Sequence, residues 1–267
     1  MWPPSRADRV LCQGRIRILG NTAESISAFF PAYNDAATIG GLVETTFRLL
    51  QASGRDFEVL VVDDGSADET PQVLEQLQKQ YGNAFRVIRH PVNRGYGAAL
   101  RSGFSAARKD LVFYTDGDGQ YDPAELANLL ERMELAVGLV NGYKMKRSDP
   151  FHRIFIGKVY NAMARRLFGI SLRDIDCDFR LLRRSWLEKA RLQYDSGVIC
   201  VEMVYKLERM GCRVVEVPVH HYPRVAGRSQ FFRWRAILKT LGQLTSLYFT
   251  RLEAPADRRH LAEIKPK

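Results

Sequence analysis

The chain reads as an α/β protein built on a mostly parallel sheet flanked by helices. Short apolar runs alternate with segments of helical period from residue 25 to about 141, the pattern of βαβ units. Leu60-Val61-Val62 and Leu111-Val112-Phe113-Tyr114 are continuously apolar, as in parallel strands covered on both faces. Polar segments rich in Asp, Asn and Gly follow the runs directly, at the sheet edge where such folds bind ligands.

Residues 1–24 are a polar lead-in. Ser25 to Phe30 is the first predicted strand, stopped by Pro31. Ile39, Leu42, Val43, Thr46, Leu49 and Leu50 then recur on one helical face. Phe57 to Val62 is the second strand. Ser66 and Glu69 have the spacing of a capping box ahead of apolar Val73, Leu74 and Leu77. Phe85 to Ile88 is the third strand, Asn93-Arg94-Gly95-Tyr96-Gly97 opens a helix over 98–108, and Leu111 to Thr115 is the fourth strand. Asp122, Pro123 and Glu125 suit an N-cap, the first helical position and the third. A helix over 124–134 and a strand over 136–141 complete the alternation.

At 267 residues the chain can bury a full core, and its apolar content of 46% is that of an ordinary globular protein. Cys12, Cys177, Cys200 and Cys212 lack metal-ligand or C-x-x-C spacing, which favours a reducing, cytoplasmic setting. The longest uncharged run of the C-terminal part, Thr240 to Thr250, is too short to span a bilayer. The net charge is +10, and its source is local: residues 144–235 hold 20 Lys/Arg against 9 Asp/Glu. That imbalance points to an anionic partner for this half: a phosphate, an anionic lipid or a nucleic acid. Nucleic acid is disfavoured, because acidic loops crowd the expected cleft and no recognition module is present.

Asp116-Gly117-Asp118-Gly119-Gln120 ends the fourth predicted strand. Two carboxylates two residues apart suit Mg²⁺ or Mn²⁺ holding a diphosphate, since these ions use one or two carboxylates plus substrate phosphates. The glycines allow a tight turn and close backbone approach. Pro31 to Asp35, Asp63 to Ser66 and Asn93 to Gly97 fall at the same edge.

These motifs, in this order, resemble the family-2 glycosyltransferases of the GT-A fold, over residues 25 to about 220. Within that family the chain is similar to the dolichyl- and polyprenyl-phosphate sugar synthases: Asp116 to Gln120 looks like their D-x-D-x-Q. Asp174 to Arg180 occupies the place of their D-x-x-S-G-F, with Cys177 for Ser and Asp178 for Gly. The resemblance implies a nucleotide diphosphate sugar held by Pro31, Tyr33, Asp35, Asp63, Asp64, Arg94, Gly95 and Gln120. It implies a Mg²⁺ or Mn²⁺ on Asp116, Asp118 and Gln120, with Asp116, Asp118 and Arg224 central to catalysis. Lys144, Arg153 and Arg228 fall where the relatives hold the acceptor phosphate, and Arg224 to Ser229 looks like their flexible lid. The implied domains are a GT-A catalytic unit over 25–230 and a basic amphipathic helix and tail over 231–267.

The acceptor decides what else the site needs. A sugar hydroxyl requires a general base, whereas a phosphate monoester, with a second pKa of about 6, is already ionised. The processive polysaccharide synthases of the family carry an Asp base where this chain has Met203, after Glu202, although Gln230 to Trp234 matches their Q-x-x-R-W. Asp195 is the nearest other carboxylate in sequence. A polyprenyl phosphate is therefore the expected acceptor, and a saccharide hydroxyl or a non-catalytic nucleotide-sugar-binding protein are the alternatives. A nucleotidyltransferase would need a glycine- and arginine-rich N-terminal loop, which Pro31 to Asp35 is not. Residues 151–170 and 231–252 are basic, aromatic and amphipathic, a pattern of helices in a membrane interface. One of the two is expected to pack on the sheet and the other to hold the protein peripherally at the membrane's cytoplasmic face. Monomer and oligomer both fit.

Overall fold

A computed structural model describes residues 24–145, 151–224 and 234–253. The strands are β1 (Ile26–Ala32), β2 (Phe57–Asp63), β3 (Phe85–Arg89), β4 (Leu111–Thr115), β5 (Val137–Lys144), β6 (Phe179–Arg183) and β7 (Arg213–Val219). The helices are α1 (Ala36–Ser53), α2 (Thr70–Tyr81), α3 (Tyr96–Ala106), α4 (Leu126–Arg132), α5 (Phe151–Phe168), α6 (Arg184–Ala190), α7 (Val198–Arg209) and α8 (Trp234–Glu253). The strands form one sheet of order β3-β2-β1-β4-β6-β5-β7. β6 is antiparallel to both β4 and β5, and the other pairings are parallel.

The period-2 alternation of strand side chains divides the core into two layers. Ile26, Ala28, Phe30, Val59, Val61 and Phe113 face α1, α2 and α4, where Ile39, Val43, Phe47, Leu50, Leu74 and Leu129 meet them. Phe29, Leu60, Val62, Val112 and Tyr114 face the opposite layer, closed by residues of α3, α5, α7 and α8. Each fully buried Leu or Phe in such a layer stabilises by about 1.5–3 kcal/mol.

Four local expectations change. Pro31 does not stop β1. Its carbonyl accepts from Gly117 N on the β4 side, beyond the last β1–β4 pair at Phe29 and Tyr114, so the N–H it lacks is not missed. The capping box is not formed: α2 begins at Thr70 with no side-chain cap from Glu69, and Asp68 Oδ1 accepts the Thr70 N–H instead. Ser66 is engaged elsewhere, accepting from Asn34 N and donating its own N–H to Asp63. β6 went unrecognised, because a short run interrupted by Arg180 does not read as a buried strand. Finally, both amphipathic helices pack. α5 buries Ala164 and Phe168, and α8 buries Thr240, Leu244 and Leu247. Tyr248 meets the Phe168 ring edge-on, with centroids 6.3 Å apart.

Arg180 is fully buried in the middle of the sheet. It donates to Asn141 Oδ1 of β5 at 2.6 Å, to the Tyr114 hydroxyl of β4 at 2.8 Å and to the Ile175 carbonyl at 2.5 Å. These bonds tie the parallel half of the sheet to the antiparallel insertion. Arg180→Ala is expected to lower stability by about 3–5 kcal/mol, measured by urea unfolding, because it leaves several buried acceptors without a donor.

Candidate active site

The Asp116–Gln120 turn sits at the carboxyl end of β4, between β1 and β6. Gly117 N donates to Pro31 O at 3.2 Å, and the Thr38 hydroxyl donates to Gly117 O at 2.6 Å. A Cβ on Gly117 would stand 2.8 Å from Pro31 O and 3.3 Å from Asp35 Oδ2, so a larger residue would push the two loops apart. Gly119 turns the chain with φ of 75°. Gln120 N then donates to Asp118 Oδ1 at 3.0 Å. Arg224 closes the far side, its Nη2 2.5 Å from Asp118 Oδ2 and 3.4 Å from Gln120 Oε1. Gln120 Nε2 donates to Tyr222 O at 3.2 Å, which joins the turn to the segment after β7.

Negative charge accumulates here against its own desolvation. Burial, then the charges of Asp178 and Asp118, hold Asp116 well above the usual carboxylate range, opposed by the Tyr96 hydroxyl bond and Arg224. Asp118 is also raised, chiefly by burial, with Arg224 the largest opposing influence. Asp35 is pushed up to about 6 by burial, against a backbone hydrogen bond from Tyr33 N.

The flanking loops converge as the sequence implied. Asp63 is buried; its Oδ1 accepts Ser66 N and its Oδ2 lies 3.4 Å from Arg89 Nε. Asp64 has both oxygens engaged: Oδ1 with Arg94 N and His90 Nδ1, at 2.9 and 2.6 Å, and Oδ2 with Gly95 N at 2.9 Å. The Asp64 carboxylate therefore organises the 93–97 loop. The Arg94 side chain is exposed, and Tyr33 is half-buried beside Asp35. A cavity of about 350 Å³ opens at the ends of β2 and β3, lined by Asp63, Gly65, Ser66, Arg89 and His90 among others.

Lys144 ends β5, with Nζ donating to Asp176 O at 2.7 Å, and its charge acts on Asp118. Arg228 and Gln230 lie outside the described residues, and of Arg153 the helical backbone alone is described. Met203 is fully buried within α7, where it serves the core. Asp195 is ion-paired with Arg101. Asp178 is the residue that sequence reasoning left without a role. Its carboxylate lies near Asp116, accepts from Tyr114 Oη at 3.3 Å and Cys200 Sγ at 3.1 Å, and stands 3.7 Å from Arg180 Nη1. An aspartate where relatives carry glycine was the available signal.

The donor set fits a hard divalent cation. Asp116 and Asp118 offer oxygen ligands, and a guanidinium already stands on Asp118 where positive charge is wanted. Among the described residues no cluster of three His, Cys, Asp or Glu is placed to hold a metal unaided.

A mostly parallel sheet flanked by helices, with acidic turns gathered at its carboxyl edge, is the architecture of a glycosyltransferase of GT-A-like fold. The chain belongs to glycosyl transferase family 2, which it matches over residues 27–191, and it is a glycosyltransferase. It is 27% identical over 235 residues to an undecaprenyl-phosphate 4-deoxy-4-formamido-L-arabinose transferase from Edwardsiella ictaluri, covering 87% of this chain and 71% of that protein. It is 29% identical over 229 residues to the transferase of the same name from Pseudomonas aeruginosa, covering 85% and 66%. The fold resembles that of glucosyl-3-phosphoglycerate synthase from Mycobacterium tuberculosis, solved with Mn²⁺, UDP and phosphoglyceric acid. The TM-score is 0.65 and the identity 20%, over 84% of this chain and 78% of that one.

Because Asp35 binds its proton more tightly folded than unfolded, its contribution to stability falls as pH rises from its ordinary value of 3.8 through about 6. In metal-free buffer Asp35→Asn is expected to raise the unfolding free energy above pH 6, by about 3 kcal/mol at most, and to add nothing below its ordinary pKa. Urea titrations across that pH range check the sign.

Proposed function

We propose that the protein is an inverting transferase that moves a hexose from a nucleotide diphosphate sugar, UDP- or GDP-linked, to a polyprenyl phosphate at a membrane surface. The observation that carries the reading is the pairing of an acidic donor site with basic groups at its rim. Asp116, Asp118 and Gln120 would face the diphosphate, and Arg224 and Lys144 stand beside Asp118. The position of a hydroxyl-activating base in the polysaccharide synthases is filled by buried Met203. Names of similar proteins support a lipid-phosphate acceptor.

In this reading Asp116, Asp118 and Gln120 would hold Mg²⁺ or Mn²⁺, which when bound acts as a Lewis acid on the diphosphate oxygens. The cavity beside Asp63 and His90 would take the nucleoside, and Tyr33, Asp35, Arg94 and Gly95 are the residues that the resemblance assigns to the rest of the donor. Lys144, Arg153, Arg224 and Arg228 supply charge for the acceptor phosphate. An ionised phosphate oxygen attacks the anomeric carbon opposite the diphosphate, the bond to the nucleotide breaks, and configuration inverts. Since the nucleophile arrives deprotonated, no residue need remove a proton. Arg224, pairing Asp118, places its positive charge where the departing diphosphate gains negative charge.

A second reading, transfer to a saccharide hydroxyl, rests on Asp178, a carboxylate close enough to Asp116 to shift it and thus in reach of the same space. Its engagement with Tyr114, Cys200 and Arg180 weighs against a free base.

Among the described residues no helix is long and apolar enough to cross a membrane. The outer face of α8 carries exposed Leu238, Leu241 and Phe249, opposite its buried Thr240, Leu244 and Leu247. A helix packed on one side and apolar on the other supports a peripheral hold on the bilayer.

Purified protein with Mn²⁺, a panel of nucleotide sugars and undecaprenyl phosphate is expected to form lipid-linked sugar. Asp118→Ala is expected to reduce that rate by at least about 100-fold with the unfolding midpoint little changed. Product with free saccharides and none with the lipid phosphate would transfer the assignment to the second reading. Leu241→Glu combined with Phe249→Glu is expected to abolish co-sedimentation with anionic vesicles while leaving the fold intact by circular dichroism.

A further inference from the structure

The turn of residues 93–97 reaches the acidic turn after β4 directly. We propose that Tyr96 is a positioning residue that fixes the Asp116 carboxylate for the cation, an inference resting on the metal reading above. Its hydroxyl donates to Asp116 Oδ1 at 2.7 Å. Among the described residues this is the hydrogen bond that holds the Asp116 side chain, and it leaves Oδ2 to an incoming ligand. Without that tether, repulsion from Asp178 and Asp118 would favour other rotamers of Asp116.

The phenol can serve as a tether because its backbone is clamped from two sides. Asp64 accepts Arg94 N and Gly95 N, each at 2.9 Å. On the opposite side Gly97 N donates to Asp195 O at 3.0 Å. Gly95 has φ of 104°, and a Cβ there would stand 2.6 Å from Asp195 O; one on Gly97 would stand 2.4 Å from Tyr194 O. Only glycine permits an approach that close. Tyr96 follows Gly95 as the first residue of α3, so its ring leaves a rigid point. The ring also packs against the second core layer, which phenylalanine would satisfy equally. The hydroxyl is what that packing leaves unexplained. In metal sites, groups that orient a ligand typically change metal affinity by about 10–100-fold when removed.

The test is Tyr96→Phe, with Mn²⁺ uptake read from loss of the free ion's electron paramagnetic resonance signal, with and without UDP. The variant is expected to bind Mn²⁺ about 10–100-fold more weakly, to bind UDP without metal as the unaltered protein does, and to keep its unfolding midpoint. Phe104→Leu is the control for loosening of α3: Phe104 meets Phe29 and Tyr114 edge-on without touching Asp116. It is expected to lower stability and leave Mn²⁺ affinity unchanged. Equal Mn²⁺ affinity in Tyr96→Phe and the unaltered protein would overturn the inference alone, as would equal weakening by Phe104→Leu. If the unaltered protein takes up no Mn²⁺, the cation assignment fails and the inference goes with it.

Discussion

The organising constraint of this molecule is the crowding of carboxylates at the end of one buried strand. Asp116 and Asp118 leave β4 within two residues of each other, and Asp178 approaches from the segment before β6. Burial and mutual repulsion both oppose their ionisation. A protein gains no stability from such an arrangement by itself. In the proposed reading a bound cation would relieve that repulsion, so the strain of the carboxylates would add to their attraction for positive charge.

The rest of the architecture restrains that charge. Arg180 is buried beneath Asp178 and bonded to three neighbouring segments, so its own desolvation is offset on every side. Arg224 covers Asp118 from the segment after β7, and Tyr96 donates to Asp116 from the first turn of α3. These supports come from sequence positions far apart. The sheet order brings them together, with β6 inserted antiparallel between β4 and β5. Pro31 contributes passively: its carbonyl accepts Gly117 N at the point where the β1–β4 ladder stops, which opens room for the acidic turn.

The C-terminal helix links this site to the outside. α8 packs on the body through Leu244 and Leu247, and its Gln243 accepts the N–H of Ser196 at 3.2 Å. Ser196 adjoins Asp195, whose carbonyl accepts Gly97 N. A surface that presents Leu238, Leu241 and Phe249 outward is thus two short contacts from the loop that carries Tyr96.

The α/β class, the strand and helix alternation up to β5, and the acidic turns at the sheet edge were legible because each is local. Apolar runs, helical period and Asp-Gly turns announce themselves within ten residues. Resemblance of four short motifs was enough to name the family. The false capping box at Ser66 shows the limit of that approach: the spacing was right, but Asn34 and Asp63 competed successfully for the serine. What only the tertiary structure decided was partnership. That Arg180 is buried, that Asp64 spends its carboxylate on backbone N–H groups, that Asp178 faces Asp116 and that Tyr96 reaches it, all depend on segments dozens of residues apart. Hydrogen bonds and charge interactions act over a few ångströms, so they are set by the packing of the sheet and not by order along the chain.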